Sequence, residues 1–159
     1  MALVQLPQVR MGHDEHIVPL SYEHLTRIRL KKENRDFVNV IPNYLDYVWD
    51  HAVDGMSWAG IGRGKVVSAF GIRPFWDGVA EMWLVPGEDI DRHAISVIRA
   101  SKQLTDTTIA NNDIKRLQIC VNTNNDTAFR FAKALRFEVE SIMRKYGPDG
   151  SDYYMMARF

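Results

Sequence analysis

Cysteine is nearly missing from this chain: Cys120 is the single one in 159 residues. An intramolecular disulfide is excluded, and a lone thiol suits a reducing compartment. Neither sign of charge is in excess, with 20 Lys and Arg against 20 Asp and Glu. Whole-chain charge therefore gives no reason to expect nucleic acid or an anionic membrane as partner. No apolar run approaches the ~20 residues of a transmembrane helix. Residues 1–10 lack the apolar core of a signal peptide. Internal repeats and low-complexity segments are absent too. The histidines (His13, His16, His24, His51 and His93) follow no metal-ligand spacing, so no metal is expected. What remains, at 46% hydrophobic residues, is one domain able to bury a substantial core.

The most informative stretch present is residues 117–137, LQICVNTNNDTAFRFAKALRF. Leu117, Ile119 and Val121 mark a short buried strand with Cys120 as a structural thiol inside it. Asn122 to Asp126 form a loop of good N-cap residues, with Asn122 and Asn125 expected to hold the turn by local hydrogen bonds. Ala128, Phe131, Ala132 and Leu135 then recur at helical spacing. Phe137, Val139, Ser141 and Met143 alternate as a strand.

Taken in order, residues 1–14 read as an arm. Leu3, Val4, Leu6 and Val9 are apolar, but Pro7 and Gly12 interrupt any regular element. It is either a strap along its own domain or a docking segment for a partner. Residues 15–159 form the domain. A first strand spans 16–20. A helix begins at Tyr22 behind Ser21, and its Arg27, Arg29, Lys31, Lys32 and Arg35 read as a solvated basic face, with phosphate contact the alternative. Pro42 suits the first position of a second helix, whose apolar side is Tyr44, Leu45, Val48, Trp49 and Ala52. Three strands follow, at 57–63, 65–75 and 79–85, joined by tight turns. Pro86 to Asp89 open a third helix with Ile90, Ala94, Val97, Ser101 and Leu104 on one stripe. That helix joins two buried strands, so strands 79–85 and 117–121 should be adjacent and parallel. A last strand spans 153–159. Trp49, Trp58 and Trp83 read as core or pocket walls, and Trp76, at a turn, as the exposed one.

The order β-α-α-β-β-β-α-β-α-β-β, with Asn125, Ala128, Phe131 and Phe137 in the pattern N-x-x-A-x-x-F…F, resembles the GNAT (Gcn5-related) N-acetyltransferases. The fold expected is α/β (α+β) with a mixed central sheet. Ala132 stands where that family often has tyrosine, and Arg136 where it has glycine. Trp83, His93, Ser101 and residues 125–131 also resemble small GNAT-like proteins of short-tailed bacteriophages. Some of those are linked to virion morphogenesis as internal virion proteins.

The resemblance implies a place for each part of acetyl transfer. Glu81 is the one carboxylate inside the fourth strand and is the candidate general base. Leu84, Val85, Gly87, Ile90, Arg92, His93 and Asn125 are the candidate acetyl-CoA contacts. The phosphate loop, GEDIDRH at 87–93, has one glycine, and Glu88, Asp89 and Asp91 crowd it with negative charge. The expectation is weak or absent binding of acetyl-CoA. For His93 a capping or packing role is favoured over ligand contact. The family's acid tyrosine is missing, and Tyr146, Tyr153 or Tyr154 replaces it only if the fold brings one near. Two readings follow. One is a GNAT-shaped phage protein, in host cytoplasm or virion, that acts in virion assembly or as a virion-associated binding protein. Its partners would be other phage proteins or a second copy. The other is an active acetyl-CoA-dependent N-acetyltransferase acting on a protein or small-molecule amine.

Overall fold

A computed structural model describes residues 11–159, apart from the side chains of residues 36–39. The proposed arm falls almost wholly on residues 1–10, outside the described residues. Seven strands form one sheet in the order β1-β2-β3-β4-β5-β7-β6. They are β1 (Glu15–Pro19), β2 (Ser57–Gly62), β3 (Lys65–Trp76), β4 (Val79–Pro86), β5 (Arg116–Asn122), β6 (Glu138–Met143) and β7 (Tyr153–Arg158). Every neighbouring pair is antiparallel except β4 and β5, which are parallel as the crossover requires.

The helices are α1 (Tyr22–Arg27), α2 (Lys32–Val40), α3 (Tyr44–His51), α4 (Ala94–Asn111) and α5 (Asp126–Ala134), with a 3-10 turn at Ile90–His93. The sequence pattern predicts two helices between β1 and β2, and the structure has three. The basic helix breaks after Arg27 because the chain at Arg29 to Lys31 is recruited as a strand-like bridge. Leu30 pairs with Gly87, Glu88 N–H donates to Arg29 O, and Lys31 N–H donates to Pro86 O. Pro42 does not start the next helix either. Asn43 takes a left-handed conformation (φ 53°), so α3 begins at Tyr44. After Pro86 the chain makes the 3-10 turn before α4 rather than entering the helix directly.

Alternation along the strands sorts the side chains onto two faces. Phe70, Ile72, Met82, Leu117 and Ile119 bury against Val97 and Leu104 of α4 and Phe131 and Leu135 at α5. Ala69 and Val85 bury on the other face with Leu25 and Ile28 around α1 and with Val48 of α3. Each such side chain taken from water contributes ~1.5–3 kcal/mol. The central strands are thereby clamped from both sides. Trp58 is buried, Trp83 is half-buried, Trp49 packs edge-on against Tyr22 at 6.0 Å, and Trp76 is 69% exposed.

Candidate functional site

The site begins where β4 and β5 part. Their pairing covers Val79↔Arg116, Ala80↔Leu117 and Glu81↔Gln118 and then stops. Beyond it β4 continues to Pro86 bound to β3, and β5 continues to Asn122 bound to β7. The strands splay and leave a cleft of about 330 Å³. Through Leu84, Pro86, Asn125, Ala128 and Phe131 it runs into a groove of about 210 Å³ between the starts of α4 and α5.

At the deep end Glu81, Gln118 and Cys120 share one sheet face, set there by strand register. Gln118 Nε2 donates to Glu81 Oε2 at 3.1 Å. Cys120 Sγ lies 3.8 Å from Glu81 Oε2 and 3.8 Å from the Tyr146 hydroxyl. An ionised carboxylate only accepts, so the thiol proton points to Glu81 and the phenol proton to sulfur. Burial, with the Glu81 charge second, pushes the Cys120 thiol up to about 11. A thiol so placed is protonated at neutral pH and is no nucleophile. Burial likewise raises Tyr146, with the neighbouring thiol next, so its hydroxyl keeps its proton. Tyr153 also lines the cleft and stacks on Tyr146 at 5.2 Å. On α3, burial pushes Tyr44 up to about 12, with the nearby Tyr153 adding to it. Tyr154 turns instead to Phe129 at 5.4 Å.

At the loop end every carboxylate is paired. Glu88 meets Arg35 at 3.1 Å and Arg29 at 4.0 Å. Asp89 meets Lys65 at 3.7 Å and Arg92 at 4.0 Å. Asp91 meets Lys31 at 3.0 Å. The crowding of unopposed charge expected from residues 87–93 is therefore offset by cations from distant parts of the chain.

The candidate residues divide. Glu81, Leu84, Ile90 and Asn125 line the cleft or its groove. Asn125 caps α5, its Oδ1 accepting from Ala128 N–H at 3.0 Å. Val85 does not reach the cleft, since it is buried in the core beside α1. Gly87 is a glycine for packing: a Cβ there would sit 2.8 Å from Val67 O. Arg92 points to Asp89. His93 is held by Glu15, Nδ1 to Oε2 at 2.7 Å, and its imidazole fills the space where a Cβ on Gly62 would go. Arg73, which faces Glu81 across β3 and β4, lies over the Phe75 ring. Ala132 is buried in the core, so the position where the family carries tyrosine reaches no ligand.

Sequence reasoning missed the cleft position of Cys120, which is half-buried on the polar face of β5 and not in its apolar core. The alternation Gln118, Cys120, Asn122 against Leu117, Ile119, Val121 carries that signal. Arg130 was also missed as a groove residue, and no local pattern marks it; of the basic residues after Tyr22, Lys31 is the one that lines the groove. Among the described residues no group of three or more His, Cys, Asp or Glu is placed to hold a metal, and no helix is long and apolar enough to cross a membrane.

No family model matches the chain, and no curated protein matches it. Solved structures do. Ard1 from Thermoplasma volcanium aligns with a TM-score of 0.69 at 17% identity, over 91% of this chain and 97% of that one. A GNAT-family acetyltransferase from Bacillus anthracis aligns at 0.71 and 13%, over 95% and 97%. The microcin C7 self-immunity acetyltransferase MccE, solved with acetyl-CoA and AMP, aligns at 0.70 and 13%, over 98% of both. At such identities the likeness is one of architecture, and the chain has the fold of the GNAT acetyltransferases.

Proposed function

We propose that this protein is an acyl-CoA-dependent N-acyltransferase, most simply an acetyltransferase, with an amine as acceptor. The observation that carries it is the β4/β5 splay opening onto Glu81 with the Tyr146 hydroxyl across the same cleft. The splay suits the carrier: past Glu81 and Gln118 the facing strand edges no longer pair with each other, so an amide-bearing arm has backbone groups to bond. Leu84, Asn125 and Phe131 line that path. Bound acetyl-CoA would supply a thioester as acyl donor.

The chain's own residues supply the proton transfers. An acceptor amine arrives as an ammonium with a pKa near ~10. Glu81 takes its proton, directly or through water, and frees the nitrogen lone pair for the acyl carbon. Tyr146 gives its proton to the sulfur that leaves as the C–N bond forms and the C–S bond breaks. Nitrogen sheds two protons in all, one to Glu81 before attack and a second to solvent as the amide forms. Sulfur gains one from Tyr146, solvent resets both groups, and one proton is released per turnover. Glu33 and Glu81 are the charged residues of the cleft walls and no cation joins them, which favours a cationic acceptor.

Calorimetry with acetyl-CoA, followed by a transfer assay on a panel of peptide and small-molecule amines, tests the reading. A low-micromolar dissociation constant (~−8 kcal/mol) with Glu81-dependent transfer is the expected result. Absence of both overturns it and leaves the virion-associated binding role as the reading to pursue.

A further inference from the structure

In the acyltransferase reading, on which this inference rests, the carrier's anionic end must be neutralised near the start of α4. The loop there has four of its N–H groups committed, and the other two before His93, of Asp89 and Asp91, belong to residues that carry a carboxylate of their own. Gly87 N–H donates to Val67 O at 2.8 Å, Glu88 N–H to Arg29 O at 2.7 Å, Ile90 N–H to Gly87 O at 3.1 Å and Arg92 N–H to Asp89 O at 3.1 Å. Donors already occupied by carbonyls cannot also hold a phosphate without breaking the loop. The adjoining groove is different. Lys31 and Arg130 stand in its walls, with Ile90, Ala94, Ile98 and Phe131 as its apolar lining. Lys31 is 19% exposed and already bonded to Asp91. Arg130 is exposed on α5, and among the described residues no ion pair or hydrogen bond holds its guanidinium.

We infer that the phosphates of a nucleotide-bearing acyl carrier are held by the side chains of Arg130 and Lys31 in this groove, and not by the amides of the loop after β4. The two cations are not equivalent. Among the described residues Arg130 has no partner to give up, and it presents a planar fork that matches phosphate oxygens. Lys31 must be shared with Asp91, so Asp91 competes with the ligand. A sign follows from this: removing the Asp91 charge tightens binding, while removing either cation loosens it.

Calorimetry on the full chain with CoA, dephospho-CoA and 4′-phosphopantetheine, at low and high salt, tests the assignment. Arg130→Gln should weaken CoA about tenfold and flatten the salt dependence of its dissociation constant. Arg130→Lys should restore part of the loss. Lys31→Gln should weaken CoA about threefold, and Asp91→Asn should tighten it about threefold, the scale of an exposed ion pair. Losses should be largest for CoA and smallest for phosphopantetheine. Thermal melts confirm that each variant is folded. If the wild type binds CoA and Arg130→Gln and Lys31→Gln bind it equally well, the cation assignment is overturned while the acyltransferase reading stands. If the wild type binds none of the three compounds, that reading falls and takes the assignment with it.

Discussion

The two ends of the cleft are made by different means. At the deep end, Glu81, Gln118 and Cys120 stand where strand alternation and the β4–β5 register put them. Their positions follow from backbone hydrogen bonds clamped between two buried cores. At the loop end, Glu88, Asp89, Asp91 and His93 are held by side chains from Arg29, Arg35, Lys65, Lys31 and Glu15. Most of those pairs are exposed and worth ~0.2–1 kcal/mol each. Proton transfer needs placement to a fraction of an ångström, and the proposed reaction would put it on the rigid end. Recognition of a flexible, charged carrier tolerates adjustment, and in the same proposal it would fall to the end held by many weak pairs.

The largest effect should come from breaking the deep end. Glu81→Gln keeps the shape and the Gln118 contact but cannot take a proton. Turnover should fall by ~10²-fold or more, the scale of general base catalysis, with CoA affinity unchanged. Full turnover in a folded variant would remove Glu81 from the mechanism.

The next effect should come from loosening the loop end. Glu15 joins β1 to the start of α4, accepting from Ser96 Oγ at 2.7 Å and pairing with His93 at 2.7 Å. Ser96, then His93, holds its carboxyl below the ordinary 4.5. A depressed folded value means the stabilisation is complete above the unfolded value and is lost as pH falls through the folded one. Glu15→Gln should therefore cost about 1–2 kcal/mol at neutral pH. The gap to wild type should close below the folded value, where wild-type Glu15 is itself protonated. Urea melts across that range check this, and a gap that persists in acid would show that shape, not charge, is what the variant loses.

The same contrast explains what could be read from sequence. The βαβ crossover and the parallel pairing of β4 and β5 were legible because they follow from local periodicity and a fixed handedness. Glu81 was legible as the lone carboxylate in its strand. The break after Arg27 was not, because its cause is Gly87, far along the chain. Nor was most of the pairing of the loop's carboxylates: every cation but Arg92 comes from another part of the chain, and an exposed basic helix looks the same whether its partners are water or Asp91. Val85, Gly87, Arg92 and His93 were placed at the site by family resemblance. The structure turns them to the core, to Val67, to Asp89 and to Glu15. Tyr146 arrives from the β6–β7 connection by tertiary folding alone.

A smaller change at the deep end sharpens the assignment of the acid. Tyr146→Phe removes the hydroxyl 3.8 Å from Cys120 Sγ and keeps the ring packed on Tyr153. Turnover should fall about tenfold, below the ~10²–10⁴ typical of general acid–base catalysis, because a thiolate is already a good leaving group. The loss should be smaller for an acyl donor whose thiol has a lower pKa, since a better leaving group needs less protonation. An equal loss for both donors would make Tyr146 a wall residue.

The smallest effect should come from a position outside both ends. Helix α5 closes with Phe137 N–H on Ala132 O and Arg136 N–H on Lys133 O, each at 3.0 Å. This is the six-residue helix stop that favours glycine at the residue with positive φ. Here that residue is Arg136, at φ 73°. A side chain in the left-handed region costs roughly 1 kcal/mol or more, while glycine gives part of that back through its greater unfolded freedom. Arg136→Gly should then stabilise the fold by about 0.5–1 kcal/mol and leave CoA affinity and turnover unchanged, because Arg136 lines neither the cleft nor its groove. A urea melt beside the transfer assay reads both. A loss of stability would mean that the Arg136 side chain makes a compensating contact stronger than the backbone strain it imposes. A change in turnover would mean that the placement of α5, and with it Asn125 and Arg130, depends on how the helix ends.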